Sequence, residues 1–500
     1  MENKRKIINN MSSGILYQFI TLALGILIPR LVLVTLGSEA NGLLSSANQV
    51  VVYLALLEGG MGLSITQALY GPMAQNQYDD INGIMSASNI FYRNVGKWYF
   101  VGLMLVSVVY TFTVSTTLPK VTVFWVVILT GLPQVINFFF QGKYRTLITV
   151  NGKGYVLTNL NTVVYAGTSI TKIVLLLSGF GVVAIQVMYF IISIIQMAFI
   201  LWYVKKEFPW LNLQVKPMKE RIGQRTAVVW HQISGFVFSN TDILMLTYFC
   251  DLKVVSIYSM YNMFFSMVES LVSNVTGSFV FVMGQTYNSD KKRYLQLHNS
   301  FETLNMMLVF SFYTVLYICI LPFLELYLGG VTDINYIDHK LPILFALIKL
   351  IGSGRFASQK VIEYAGKFKE TQAHAVIEMI INVVVSMVGV IYCGIYGVLL
   401  GTIVSMLVRG IFMIYYSSKH ILQMSQTKVY VKWFINALFF GGLIWIASYI
   451  NIKFDSYVSL VAYAVVTLFI ALITYGMSTI IYDKTFVKMI VDMLKGKIIK

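Results

Sequence analysis

The chain has 500 residues, of which 57% are hydrophobic and only 12% are charged, and its mean hydropathy is +0.73. This composition excludes a water-soluble globular protein, because soluble domains carry about 25% charged residues. The formal net charge of +16 is explained by basic residues that lie beside anionic lipid headgroups, and it does not indicate nucleic-acid binding.

Apolar runs that are long enough to cross a bilayer recur along the whole chain. A spanning helix needs about 20 mostly apolar residues, and we expect about fourteen such spans in an all-α integral membrane protein. The predicted spans lie near residues 12–35, 40–68, 97–116, 121–140, 155–178, 181–204, 226–249, 254–283, 302–328, 341–362, 372–393, 395–417, 431–450 and 457–482.

The distribution of Lys and Arg predicts the orientation of these spans. Basic residues accumulate in cytoplasmic loops, and about 28 of the 37 lie on one side if the N-terminus is cytoplasmic. The predicted cytoplasmic set includes Lys143, Arg145 and Lys432. An even number of spans places both termini in the cytoplasm.

A shift of about 214 residues superimposes the hydropathy pattern of the first part of the chain on that of the second. Transporters are commonly built from such repeats, with the substrate path between them. We therefore predict an N-terminal six-helix lobe over 1–210, a pseudo-symmetric six-helix lobe over 211–425, and two additional helices with a basic tail over 426–500. The basic stretch 205–225 is the predicted linker between the lobes.

Ionisable side chains inside predicted spans are candidates for function, because each costs on the order of 2.5–3.5 kcal/mol at a helix centre. Two of them, Lys172 and Arg409, lie near span ends and are expected to extend toward the headgroups. The complete set is Arg30, Glu58, Lys172, Asp242, Glu269, Lys349, Arg355, Glu378 and Arg409.

Three basic residues are candidate substrate ligands. Arg30 follows Pro29 in the first span, and it either reaches the outer headgroups or binds an anion through its planar fork. Lys349 and Arg355 flank the sequence Gly-Ser-Gly at 352–354, which predicts an interrupted helix. Irregular backbone at membrane depth is tolerated where it faces protein or a water-filled cavity. The alternative for this segment is a helix that simply ends early.

Three acidic residues are candidates for ion coupling or gating. Asp242 lies at about the depth of Arg30, so a salt bridge between them would close one face of the protein. Glu58 and Glu269 occupy nearly equivalent positions in the two predicted lobes and would carry a proton or Na⁺. The alternative is that these carboxylates only tie neighbouring helices together.

Five short stretches of the chain carry a family resemblance: IPR (28–30), LGSEANGL (36–43), LEGGMG (57–62), FSNTDILML (238–246) and SIYS (256–259). They resemble the polysaccharide-export flippases of the multidrug, oligosaccharidyl-lipid and polysaccharide transporter superfamily. The resemblance implies alternating-access flipping of an undecaprenyl-pyrophosphate-linked oligosaccharide repeat unit across the cytoplasmic membrane, for capsule, O-antigen or exopolysaccharide assembly. It implies contacts with membrane lipids and with other membrane proteins of polysaccharide assembly. It also implies no cofactor or metal besides a coupling ion, Na⁺ or H⁺.

Other functions remain as alternatives. The sequence has no GxxxxGK[ST] run, which argues against an ATP-driven pump in this chain. A membrane-bound polymerase or ligase usually needs a large outer loop, whereas the longest predicted one is 329–340, and we predict no enzymatic activity. An exporter of lipid II or teichuronic acid is an alternative that the sequence does not separate from a repeat-unit flippase. A drug or cation antiporter would favour acidic cavity residues, whereas an anionic substrate favours the basic residues that are in excess within the spans. The charge that lines the cavity distinguishes these classes.

Overall fold

The computed structural model describes residues 2–222, 226–449, 454–483 and 486. Every regular element in these ranges is helical, which confirms the predicted all-α class. The helices are α1 (Glu2–Leu54), α2 (Met61–Ala74), α3 (Tyr78–Thr113), α4 (Lys120–Ile136), α5 (Gly142–Val150), α6 (Gly154–Leu177), α7 (Val182–Glu207), α8 (Thr226–Phe249), α9 (Leu252–Ser289), α10 (Lys291–Tyr327), α11 (Leu341–Gly354), α12 (Phe356–Tyr364), α13 (Phe368–Cys393), α14 (Ile395–Tyr416), α15 (Thr427–Ser448) and α16 (Tyr457–Tyr482).

Twelve continuous helical stretches in the described residues are long and apolar enough to cross a membrane, so the chain is a multi-pass membrane protein. The first of them, Ser12–Glu58, contains the first predicted span and most of the second. Gly37 separates the two spans with φ 82° and ψ 174°, a backbone conformation that glycine adopts without steric cost. Thirteen of the fourteen predicted spans overlap these twelve stretches, and the other, 226–249, coincides with α8, which is not among the twelve.

Several observed helices begin earlier than predicted, such as α3 and α10, and two predicted spans differ in ways that shape the interior of unit 1. The second span, predicted at 40–68, is interrupted, because a single 3-10 turn at Ala55–Glu58 is followed by two left-handed glycines at 59–60. The fourth span, predicted at 121–140, continues without a loop to Val150. Hydropathy missed this extension because the last turns of the helix carry polar side chains that point into the protein.

Contacts divide the described chain into two units, residues 1–256 and 257–500. The hydropathy repeat predicts a lobe boundary at residue 210, whereas the contacts keep α8 with the first seven helices. The difference arises because α8 packs along α1. A boundary drawn from a repeat and one drawn from contacts measure different properties, and the predicted pseudo-symmetry stays a prediction.

In unit 1, neutral hydrogen bonds connect α1 with α8 and with the start of α9. We call this row of bonds the polar seam. It joins two of the stretches quoted for the family resemblance, 36–43 and 256–259. Its side-chain hydrogen bonds form only when α1 is aligned along its axis with α8 and with the start of α9. Its bonds are Asn41 to Ser256 (2.8 Å), Ser46 to Thr247 (2.7 Å) and Gln49 to Asn240 (2.8 Å).

In unit 2, α13 and α14 approach each other at glycines. A Cβ atom added to Gly397 would lie 1.9 Å from the carbonyl oxygen of Gly389, so any side chain there would force the helices apart. Asn382 donates a hydrogen bond to Thr402 across the same contact (2.9 Å). This close packing brings the polar faces of the two helices together.

Candidate functional site

Unit 1 contains a polar cavity of about 480 Å³ enclosed by α1, α4, α5, α6, α7 and α8. We call it the amide-lined cavity, because six carboxamide side chains face it, together with three tyrosines. The carboxamides are Asn48, Gln134, Asn137, Gln141, Asn161 and Gln196, and the tyrosines are Tyr17, Tyr165 and Tyr189. The described residues that line it include one Arg and no Asp, Glu or Lys.

A distorted helix places one wall of this cavity. Pro133 within α4 has no N–H to donate to the preceding turn, and the chain then forms a wide π-type turn over Asn137–Gln141 before α5 begins. Single π-type turns inside α-helices occur frequently at functional sites. Side chains at 134, 137, 141 and 145 follow one another at intervals of three or four residues, so they line one face of the continuous helix.

Arg145 is the cation of the amide-lined cavity. Its Nε and Nη2 atoms donate to Oε1 of Gln141 (3.3 and 3.1 Å), and Nη1 lies 3.5 Å from Oδ1 of Asn161. Gln196 donates to the same Asn161 oxygen (3.0 Å). Since these acceptors are neutral, the guanidinium is held in position without a carboxylate to cancel its charge. The electrostatic potential in the cavity therefore favours an anion.

The sequence prediction placed Arg145 in a cytoplasmic loop, and the structure corrects that assignment. The signal that would have found it is the polar series Gln134, Asn137, Gln141 and Arg145, which continues the helical period beyond the end of the apolar run. Lys172 also lies near the cavity, with Nζ 6.0 Å from the ring centroid of Tyr189. Its contact with an aromatic ring inside the unit differs from the predicted orientation toward headgroups.

One buried acceptor in this cavity has no hydrogen-bond partner in the described part of the chain. It is Oδ1 of Asn137, on the π-type turn. Buried polar atoms are nearly always paired, so this oxygen is an exception in the wall of the cavity.

Glu58 lies in a second, smaller cavity of about 330 Å³ that shares Ala55 and Phe236 with the amide-lined cavity. The left-handed residues 59–60 end the 3-10 turn directly after Glu58 and redirect the chain. The hydroxyl of Tyr92 donates to Oε1 of Glu58 (2.8 Å). Glu58 is therefore a positioned carboxylate beside the larger cavity, as a coupling or gating residue would be.

Arg30 and Asp242 belong to the same unit but differ in their surroundings. Arg30 is half-buried on α1 and is not among the described residues that line the two cavities above. Asp242 is buried on α8, close enough to Tyr53 for an electrostatic interaction. The Tyr53 hydroxyl bonds the neighbouring Thr241 (2.5 Å). The Arg30 to Asp242 salt bridge stays a prediction.

In unit 2, the structure brings together two residues for which the sequence predicted separate roles. Nζ of Lys349 lies 2.6 Å from Oε2 of Glu269 and 3.1 Å from the hydroxyl of Ser266. The pair joins α9 to α11. Because the two charges cancel, Lys349 has less attraction for an anionic substrate, and Glu269 less for a cation, than either would have alone.

The third predicted substrate ligand, Arg355, lies at the junction between α11 and α12, where the sequence predicted an interruption. Its Nη1 is 2.5 Å from Oε1 of Glu378 on α13, which supplies the partner that sequence reasoning did not assign. Arg409 on α14 lies on the other side of the same carboxylate, at 3.8 Å from Oε2. Arg409 is buried in the unit, so the expectation that it extends toward the headgroups is wrong.

A further buried ion pair in unit 2 was missed from the sequence. Lys432, predicted to be a cytoplasmic loop residue, is 2% exposed and lies 3.0 Å from Glu302. It also donates to Oδ1 of Asn299 (2.8 Å), whose amide donates to Asp483 (2.8 Å). These bonds connect α10 to α15 and to the end of α16.

The fold is that of the transporters of the MOP superfamily. No protein-family model matches the sequence, and no curated protein matches it. Among solved structures, the lipid II flippase MurJ in an inward closed conformation superimposes with a TM-score of 0.65, at 13% identity, over 95% of this chain and 98% of MurJ. An inward-facing multidrug resistance transporter of the MATE family gives 0.59, at 12% identity, over 81% and 95%.

A third solved structure is that of a MOP superfamily transporter from Pyrococcus furiosus, in which the reverse polarity of the binding pocket suggests a different function. It superimposes with a TM-score of 0.55, at 11% identity, over 85% of this chain and 97% of its own. At these identities the likeness establishes a shared fold, and the chemistry of this chain has to be argued from its own cavity.

Proposed function

We propose that the protein is a flippase that carries an undecaprenyl-pyrophosphate-linked oligosaccharide repeat unit across the cytoplasmic membrane by alternating access. The observation that carries this proposal is the amide-lined cavity, whose described lining has Arg145 as its cation and no carboxylate. The repeat unit would serve a surface polysaccharide such as a capsule or O-antigen. In this proposal both termini are cytoplasmic.

Each part of the cavity matches a part of such a substrate. Carboxamides donate and accept hydrogen bonds, as sugar hydroxyls do, and six of them can replace the hydration shell of a saccharide. The faces of Tyr17, Tyr165 and Tyr189 suit the apolar faces of sugar rings. The guanidinium fork of Arg145 suits a phosphate, to which it can make two parallel charge-assisted hydrogen bonds.

The same lining disfavours a drug or cation antiporter. An organic cation that leaves water is stabilised by a carboxylate, which the described lining does not include, and the uncompensated charge of Arg145 would repel it. Glu58 lies in the adjacent cavity and bonds to Tyr92, a position that suits a coupling ion better than the main cargo. We propose Na⁺ or H⁺ as that ion.

Lipid II is a second candidate substrate, because the fold superimposes on a lipid II flippase over nearly its full length. Lipid II and a repeat-unit intermediate share the prenyl pyrophosphate and differ in the sugars. Deleting the gene and analysing the accumulated lipid-linked intermediates by mass spectrometry separates the two.

The decisive assay uses the purified protein in proteoliposomes. A fluorescent prenyl-pyrophosphate oligosaccharide is placed in one leaflet, and its arrival in the other is followed with an impermeant quencher. We expect flipping of this lipid and no uptake of a rhodamine dye in parallel vesicles. Dye transport without lipid flipping would reassign the protein to the cation antiporters.

A further inference from the structure

Three charged side chains meet in the interior of unit 2, each from a different element. Glu378 is on α13, Arg355 is at the junction between α11 and α12, and Arg409 is on α14. Their side chains are 9%, 11% and 6% exposed, respectively. We call them the Arg-Glu-Arg cluster.

The two arginines are held very differently. Arg355 makes a hydrogen-bonded ion pair with Oε1 of Glu378 at 2.5 Å. Arg409 lies 3.8 Å from Oε2, which permits attraction but not a hydrogen bond. Its Nε and Nη1 atoms are buried and have no hydrogen-bond partner within the described ranges. Leaving buried charged donors unpaired costs free energy, so Arg409 would be stabilised by a hydrogen-bond acceptor that this conformation does not give it.

The charges of the cluster do not cancel. Two guanidiniums face one carboxylate, and the further titratable group close to Arg409 is His374, one turn before Glu378 on α13. His374 stacks on Phe412 of α14, and its Nδ1 has no partner in the described structure. His374 is either neutral or positively charged, so it cannot offset the excess positive charge of the two arginines over the one carboxylate.

The backbone around Arg355 is fixed, whereas its side chain is held by Glu378. A Cβ atom on Gly354 would lie 2.2 Å from the ring of Trp433, so the junction is packed tightly against α15. Asn305 donates to the carbonyl of Ser353 (3.0 Å) and fixes the turn from α10. Release of the Glu378 contact would therefore free the guanidinium without unfolding the junction.

We infer that Glu378 is the built-in occupant of an anion-binding site at Arg355, and that a phosphate-class anion displaces the carboxylate from Arg355 to Arg409. The exchange conserves the ion pair of Glu378, because the carboxylate leaves one guanidinium for another that is already 3.8 Å away. It also supplies the missing acceptor to Arg409. Without the bound anion, the cluster has one hydrogen-bonded ion pair, between Glu378 and Arg355. With the anion, it would have two, between the anion and Arg355 and between Glu378 and Arg409.

This inference rests on the proposed function for the identity of its ligand, the pyrophosphate of the lipid-linked substrate. In that setting Arg355 is a second phosphate ligand, distinct from Arg145 in unit 1. Glu378 and Arg409 are positioning residues, because they act through Arg355. Glu378 would also speed release of the anion by reclaiming Arg355.

The two positioning residues are expected to change binding in opposite directions. Glu378→Gln removes the competing charge and should tighten anion binding about tenfold. Arg409→Gln removes the group that receives the carboxylate and should weaken binding by a similar factor, whereas Arg409→Lys should restore part of it. Residues that only stabilise the fold would not produce opposite shifts.

The test measures binding of inorganic pyrophosphate and of farnesyl diphosphate to the full-length protein in phosphatidylcholine nanodiscs, by isothermal titration calorimetry. All variants carry Arg145→Gln so that the cavity of unit 1 contributes little. Arg355→Gln should lose binding, and Arg293→Gln, an exposed arginine on α10, is the matched control. Stronger binding of farnesyl diphosphate would identify lipid-linked substrate as the source, and equal binding would identify free phosphate.

Unchanged or weaker binding by folded Glu378→Gln, or unchanged binding by Arg355→Gln, would overturn the inference. If Arg409→Gln does not fold, the increase expected for Glu378→Gln still decides the matter. The binding assay is independent of flipping. Opposite shifts in a protein that does not flip lipids would keep the anion site and reject the proposed function, and flipping without these shifts would do the reverse.

Discussion

At the scale of single residues, the ionisable side chains inside the helices divide by whether a charged side chain on a neighbouring helix pairs with them. Lys349 pairs with Glu269, and Arg355 pairs with Glu378, so these two cations are neutralised in this conformation. Arg145 is held by carboxamides and keeps its charge. A cation that neutral groups position is a stronger anion ligand, because no internal carboxylate competes with the substrate.

The first prediction concerns Arg145. Arg145→Gln should slow lipid flipping by about one to two decades, because a charge-assisted hydrogen bond contributes about 1.5–3 kcal/mol. Arg145→Lys should lie between this variant and the wild type, since it keeps the charge and loses the fork. The rate is measured in proteoliposomes at equal protein content, with Arg93→Gln, an exposed arginine on α3, as the control. A wild-type rate for Arg145→Gln would remove this residue from the site.

The second prediction concerns Glu58. If this carboxylate carries Na⁺ or a proton, Glu58→Gln should abolish the dependence of flipping on the ion gradient while the protein still folds and inserts. Tyr92→Phe removes only the hydroxyl that bonds Glu58 and should leave the gradient dependence in place. Rates are compared with and without an imposed gradient. Full gradient dependence in Glu58→Gln would leave this carboxylate with a packing role.

At the scale of helices, proline and glycine decide where the interior becomes polar. Pro133 precedes the π-type turn of the amide-lined cavity, residues 59–60 redirect the chain after Glu58, and Gly397 allows α13 and α14 to touch. These are local departures from a regular helix. The first two border the cavities that contain the candidate residues Arg145 and Glu58.

The third prediction follows from the contact of α13 with α14. Gly397→Ala should lower the midpoint of thermal unfolding, because its Cβ would lie 1.9 Å from a backbone oxygen and overpacking costs typically about 1–3 kcal/mol. Gly441→Ala on α15 is the matched control, since no atom lies within 4 Å of its added Cβ. Unfolding is followed in detergent. Equal midpoints for the two variants would show that the helices separate at little cost.

At the scale of the whole chain, hydropathy located the membrane spans because lipid exposure imposes long apolar runs. Hydropathy did not predict the polar positions inside the protein, because there the contacts between helices determine where polar and apolar side chains lie. The rule that places basic residues in cytoplasmic loops assigned Arg145 and Lys432 there, yet both lie within helices. The partner of Arg355 was not predictable, because Glu378 is near it only through the tertiary fold.

The fourth prediction tests the orientation of the chain. In a background with Cys250, Cys319 and Cys393 replaced by Ser, a cysteine at Ser115 or Ser178 should react with an impermeant thiol reagent in whole cells. Cysteines at Asn76 or Gln423 should react only after lysis, because the distribution of basic residues places these loops in the cytoplasm. All four positions are exposed in the structure. The reverse labelling pattern would invert the predicted topology.

The polar seam also constrains the order in which the protein can be made. The α1 residues Asn41 and Gln49 bond to Ser256 and Asn240, some two hundred residues later in synthesis, whereas Ser46 bonds both to Thr247 and to Tyr110 of α3. When the ribosome has produced the first seven helices, the partners of Asn41 and Gln49 in the polar seam have not yet been made. Unit 1 therefore becomes complete only after α8 has been synthesised and has packed against α1, the first helix to be made. A chain truncated before α8 presents an unfinished surface to membrane proteases, whereas one that ends just after residue 256 hides it.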